Sequence, residues 1–126
     1  MAKEKNIHLQ VCQFIDLQYP NVIYTSDPSG LRLSMGLRME VKRKRSKRYK
    51  IPDLIILHPS QTYSGLILEI KKDVSEVYTA KGELRKSDHV AEQAETLREL
   101  SRLGYKAVFG CGFDHCVKII NEYMKP

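Results

Sequence analysis

Two apolar runs, residues 51–57 (Ile-Pro-Asp-Leu-Ile-Ile-Leu) and residues 65–72 (Gly-Leu-Ile-Leu-Glu-Ile-Lys-Lys), have the length of strands and are joined by a seven-residue spacer. That spacer, His58-Pro59-Ser60-Gln61-Thr62-Tyr63-Ser64, has the composition of a loop, so the pair predicts a β-hairpin. Alternate side chains of a strand share a face. Glu69 and Lys71 therefore project with Ile67, while Leu66, Leu68 and Ile70 project the other way. On the first strand Asp53 shares a face with Ile55 and Leu57, and hairpin pairing brings its carboxylate beside Glu69 if the register allows. A carboxylate inside a strand is disfavoured and costly to bury unless a cation or hydrogen bonds compensate it. Two together call for a cation, and Mg²⁺, which takes oxygen ligands and uses one or two carboxylates plus substrate phosphate, suits an Asp/Glu pair. Lys71 is placed to orient an attacking water or to offset transition-state charge. An edge hairpin with surface ion pairs would show the same bare pattern.

The rest of the chain surrounds this hairpin with helices. Ile7, Val11, Phe14, Ile15 and Leu17 predict a helix over residues 3–18 closed by Tyr19-Pro20, then a short strand over 22–25 and a turn over 26–30. Leu31, Met35 and Met39 at helical spacing predict a second helix over 30–46. Residues 73–86 are polar and aperiodic. Val90, Ala94, Leu97, Leu100 and Leu103 mark a helix over 88–103 ended by Gly104, followed by a core strand over 105–110 and a last helix over 113–123. This order predicts a single α/β domain over residues 1–126, a mixed central β-sheet flanked by α-helices.

Composition narrows the function. The chain has 126 residues, 42% hydrophobic and 29% charged, which excludes a disordered or fibrous protein. No apolar run approaches the ~20 residues of a membrane span, and the start Met-Ala-Lys-Glu-Lys-Asn has no signal-peptide core, so a cytoplasmic protein with no membrane partner is expected. Lys and Arg number 21 against 15 Asp and Glu, a net charge of +6 that favours a polyanionic partner. Eight of these cations fall between Arg38 and Lys50 with only Glu40 opposing them in sequence. Lys42, Arg43, Lys44 and Arg45 at the centre of the run are the candidate phosphate contacts, against the plainer reading of a solvated surface. Cys12, Cys111 and Cys116 lack zinc spacing and read as buried thiols. His8, His58, His89 and His115 form no spaced pair for zinc or a nucleophile dyad, and Gly110-Cys111-Gly112 is too short for a phosphate-binding loop.

Pro52-Asp53, fifteen intervening residues and then Glu69-Ile70-Lys71 resembles the PD-(D/E)XK nuclease superfamily with its restriction-endonuclease-like core. The fuller layout adds an opening helix with an acid, Gly-Leu-Ile-Leu-Glu-Ile-Lys, a helix with Gln93, Gly104-Tyr105 and a closing Ile-Ile-Asn-Glu-Tyr. It resembles the virus-type replication-repair nuclease branch, VRR-NUC, across nearly the whole chain, in the short stand-alone form of phage-sized proteins. The resemblance implies Mg²⁺- or Mn²⁺-dependent hydrolysis of DNA phosphodiesters in a bacterial or phage-infected host cytoplasm. Asp53, Glu69 and the Ile70 carbonyl would hold the metal, Lys71 would assist catalysis, Gln93 would support the site, and Glu4 matches the acid that family members place near the metal. Asn6 and His8 are nearby polar alternatives to Glu4. Junctions, flaps and other branched DNA are the expected substrates, and a homodimer is expected because one site cuts one strand. The alternative is a catalytically silent nucleic-acid-binding accessory domain of the same fold. Charge does not separate DNA from RNA.

Overall fold

The computed structural model describes residues 3–28 and 31–125. Helix α1 (Glu4–Gln18) precedes strand β1 (Tyr24–Ser26), helix α2 (Met35–Arg43), strands β2 (Leu54–Ile56) and β3 (Leu66–Lys71), a 3-10 turn (Val74–Glu76), helix α3 (Asp88–Arg102), strand β4 (Lys106–Cys111) and helix α4 (Phe113–Met124). The four strands lie in the order β1-β2-β3-β4. β1, β2 and β3 are antiparallel neighbours, and β4 joins β3 in parallel through the crossover that contains α3. The sheet is mixed and helix-flanked, as the pattern of periods required.

Each face of the sheet has its own helical cover. Leu54, Ile56, Leu66, Leu68 and Ile70 pack against Ile7, Val11 and Ile15 of α1 and Cys116, Ile119, Ile120 and Tyr123 of α4. The four-residue spacing of Ile7, Val11 and Ile15 puts all three on one stripe of α1. On the opposite face Ile67 and Ala107 pack against Leu97, with Ile55, Leu100, Tyr105 and Phe109 around them. β3 is therefore central and fully buried, and the charged pair it carries is held inside the domain. Tyr123 clamps the hairpin loop to α4: its hydroxyl donates to the His58 carbonyl at 2.6 Å and its own carbonyl accepts from Ser60 Oγ at 2.6 Å.

Local chemistry sets the element ends. Ser34 and Ser87 cap α2 and α3, accepting from Leu37 N and Val90 N at 3.2 Å each. Gly104, with φ of +102°, ends α3 as expected of a glycine in the left-handed region. α2 is shorter than the predicted 30–46 helix because Ser34 starts it late and Lys47 closes it early. The Lys47 ammonium donates to the carbonyls of Lys42 at 2.9 Å and Arg43 at 2.8 Å. The apolar spacing expected to seat this helix on the core does not do so, since α2 buries no residue at all. Of the three cysteines only Cys116 is fully buried, and all three are free thiols. Residues 73–86, expected to be irregular, contribute Val77 to the interior and a bridge between Tyr78 and Leu84.

Candidate active site

The register of the hairpin decides whether its charged residues meet. Leu54 pairs with Leu68, Ile55 with Ile67 and Ile56 with Leu66, so one further step sets Asp53 opposite Glu69. At the next step Pro52 would face Ile70. In an antiparallel ladder that position exchanges two N–H···O bonds, but proline has no N–H to return to the Ile70 carbonyl. The Ile70 N–H donates instead to Asp53 Oδ2 at 2.7 Å. β2 thus stops at Leu54, the Asp53 carboxylate caps the end of the ladder, and the Ile70 carbonyl receives no ladder donor from Pro52.

Glu69 and Lys71 sit on the α3 face of β3, each only 4% exposed. Burial, a hydrogen bond to the Asp53 side chain and the Asp53 charge hold the Glu69 carboxyl far above the usual carboxylate range, with Lys71 pulling the other way. Glu4, in the first turn of α1, is raised as well, first by partial burial, with Lys71 opposing and Asp53 adding to the rise. Lys71 acts on both acids through space, without an ion pair within 4.0 Å of a carboxylate among the described residues. Gln93 is buried on α3, and its Oε1 is a buried acceptor without a donor. A cleft of about 490 Å³ has Glu4, His8, Asp27, Asp53 and Ile70 among its walls, whereas Glu69, Lys71 and Gln93 do not line it.

The expected residues therefore gather unequally. Asp53, Glu69, Ile70 and Lys71 share one end of the hairpin, and Gln93 lies on the helix that covers the same face. Glu4 shares the cleft and the electrostatics, but among the described residues no three His, Cys, Asp or Glu side chains converge as a metal-binding cluster. Asn6 is exposed, and His8 bonds Ser26 Oγ at 2.9 Å. The basic segment is more committed than its sequence implies. Arg45 is ion-paired with the buried Asp27, Lys44 pairs with Glu40 at 2.7 Å, Arg48 with Glu95 at 2.7 Å and Lys50 with Glu92 at 3.6 Å. Lys42 and Arg43 remain solvent-accessible.

No family model matches the sequence, and no curated protein matches it. Among solved structures a VRR_NUC domain protein superposes with a TM-score of 0.66 at 23% identity, over 99% of this chain and 90% of that one. The chain has the VRR_NUC fold. The likeness extends over nearly the whole of this chain and most of that one.

Asp27 is the residue that sequence reasoning passed over. It reads as part of a turn, yet its N–H donates to the Asp53 carbonyl at 2.9 Å while its side chain holds Arg45. The Pro-Asp dipeptide carries no hint of this, because the contact depends on β1 pairing beside β2. A pH test follows from Glu69. In the metal-free protein its folded value lies above the unfolded 4.5, so the folded state keeps a proton that the unfolded chain releases. That stability is complete below about pH 4.5 and is lost as pH rises toward the folded value. The melting temperature of wild type should therefore fall from about pH 5 to about pH 8 relative to Glu69→Gln, and parallel curves for the two proteins would refute the assignment.

Proposed function

We propose that this chain is a divalent-metal-dependent DNA endonuclease that hydrolyses phosphodiester bonds in branched or structured DNA, such as junctions and flaps. The observation that carries the reading is the end of the β2–β3 hairpin, where register and Pro52 put the Asp53 carboxylate against Glu69 and the Ile70 N–H, with Lys71 buried alongside. The donor set fits Mg²⁺ or Mn²⁺. It consists of oxygens only, the carboxylates of Asp53 and Glu69 and the Ile70 carbonyl, and a dication would offset the burial and the neighbouring Asp53 charge that together keep Glu69 protonated. Glu4, on the wall of the cleft that Asp53 also lines, would be the further acid near the metal. The metal, when bound, supplies Lewis-acid polarisation of the phosphate and a lowered pKa for water.

The chain's own residues do the rest. The Ile70 N–H fixes the Asp53 carboxylate so that one face is presented to the cleft. Lys71, inside a low-dielectric wall, holds positive charge where the attacking water and the phosphate oxygens must lie. Gln93 Oε1 is a free acceptor that orients a water molecule from the α3 side. Lys42, Arg43, Lys44 and Arg45 form part of a phosphate track, and a homodimer supplies the second site needed to cut both strands. Among the described residues no helix is long and apolar enough to cross a membrane.

The test is a titration of Mg²⁺ or Mn²⁺ against single-stranded, duplex, flap and four-way-junction DNA. Cleavage of branched DNA is expected with either metal and none in EDTA. Metal-independent binding without cleavage on every substrate would favour the silent accessory domain, and cleavage confined to RNA would change the substrate class. Removing the charges of Lys42, Arg43, Lys44 and Arg45 together should weaken DNA binding across sequences and reduce the log–log salt slope by about 0.9 for each phosphate left without its cation. Arg45→Met alone should cost stability as well, since it takes away the ion-pair partner that the buried Asp27 carboxylate has in Arg45. An unchanged slope in the quadruple variant would make the run a solvated face.

A further inference from the structure

α2 and the segment leading into it present an apolar surface that the fold does not use. Leu31, Met35, Leu37 and Met39 are 66%, 76%, 58% and 49% exposed, although helical spacing would ordinarily seat such residues on a core. The helix is maintained from its ends instead, by the Ser34 cap and the Lys47 clasp. Met35 and Met39 share one face of α2, with Leu37 on the other side, and adjoining exposed apolar side chains mark an interaction surface. Two further observations identify its occupant. Leu31 lines the cleft that contains Asp53 and Glu4, so the exposed apolar segment begins at the proposed active site, and within α2 Met35, Met39 and Arg43 follow one turn apart. Arg32, Arg38, Lys42 and Arg43 in the same segment have no carboxylate within ion-pair distance among the described residues. A second copy docked on this face would oppose like charges, whereas a polyanion with an apolar interior would satisfy both halves of the surface.

We propose that α2 is a wedge for branched nucleic acid: Met35 and Met39 pack against the base faces exposed at a branch point while Lys42 and Arg43 neutralise the flanking phosphates. Thioether and aliphatic side chains are suited to entering a base step, and a branch point lowers the cost because its bases are already unstacked. The inference rests on the nuclease reading for its substrate class, and it adds how that substrate would be recognised. It makes the preference for branched DNA a property of α2 rather than of the metal site.

The experiment measures binding in EDTA to a four-way junction and to a fully paired duplex of equal length, with 2-aminopurine beside the branch point. Wild type should prefer the junction and raise the 2-aminopurine fluorescence. Met35→Ser with Met39→Ser should lower junction affinity roughly tenfold, leave duplex affinity and salt slope unchanged, and abolish the fluorescence rise. Met35→Leu with Met39→Leu should restore the preference, which separates loss of the wedge from loss of the helix. Lys42→Ala with Arg43→Ala should weaken both substrates alike. The proposal is overturned if wild type shows no junction preference, if the serine variant keeps it, or if the serine variant loses self-association or binding to phosphatidylserine vesicles instead. Failure of the nuclease reading would look different, as absent metal-dependent cleavage with the junction preference intact.

Discussion

Asp53→Asn and Glu69→Gln are each expected to lower metal-dependent cleavage by on the order of 10³-fold while leaving the folded domain and its DNA affinity in place. Both substitutions keep the shape of the side chain and take away a carboxylate oxygen that a dication would use. The asparagine of the first variant still offers a carbonyl oxygen to the Ile70 N–H, which Asp53 accepts at 2.7 Å, so the end of the ladder is preserved. The glutamine of the second replaces a buried carboxyl that the surroundings already hold in its neutral form, so that variant, free of metal, should be at least as stable as wild type near neutral pH. DNA affinity measured without metal should be unchanged in Glu69→Gln, whose carboxyl is already neutral, and unchanged or raised in Asp53→Asn, where the phosphates meet less negative charge. Isothermal titration of Mg²⁺ or Mn²⁺ into each variant gives the separate measure of metal binding. If both variants cleave and bind metal as wild type does, the hairpin is not the active site and the accessory-domain reading takes its place.

The parts of this molecule legible in the sequence are those set by short-range pattern. β3 is readable as a short, nearly continuous apolar run and α3 by its period of about 3.6, and Gly104 ends α3 for a reason of backbone geometry that any sequence displays. Asp53, Glu69 and Lys71 stand out because they interrupt apolar runs, but the register that sets the two acids opposite each other is known only from the structure. α2 shows where the same logic fails. Leu31, Met35 and Met39 carry a core-like period, but the sheet's faces are already covered by α1, α4 and α3, so no surface remains for a further cover. The basic run misleads in another way. Its opposing carboxylates, Asp27, Glu92 and Glu95, come from β1's end and from α3, and only folding places them against Arg45, Lys50 and Arg48. The Pro52 effect on Ile70 is likewise invisible in sequence, since a missing N–H matters only once its partner strand is known.

Lys71→Met should reduce the single-turnover rate at saturating Mg²⁺ by roughly 10²- to 10³-fold with little loss of metal affinity, because a buried cation beside the reacting phosphate acts chiefly on charge that develops in the transition state. Methionine fills nearly the same volume, and β3 is packed on both faces, so the substitution removes charge without opening a cavity. Metal binding should be equal or tighter, since Lys71 repels a dication that Asp53 and Glu69 attract. The pH response supplies an independent sign. Lys71 lowers the Glu69 value against burial and Asp53, so its removal should push Glu69 higher still and carry the loss of metal-free stability on to higher pH than in wild type, where it ends near the folded value of about 10. A surface ion-pair partner would leave both the rate and that pH dependence unmoved. Wild-type single-turnover rates in Lys71→Met at saturating metal would therefore remove Lys71 from the mechanism, whereas a rate loss that more Mg²⁺ rescues would assign it to metal binding instead.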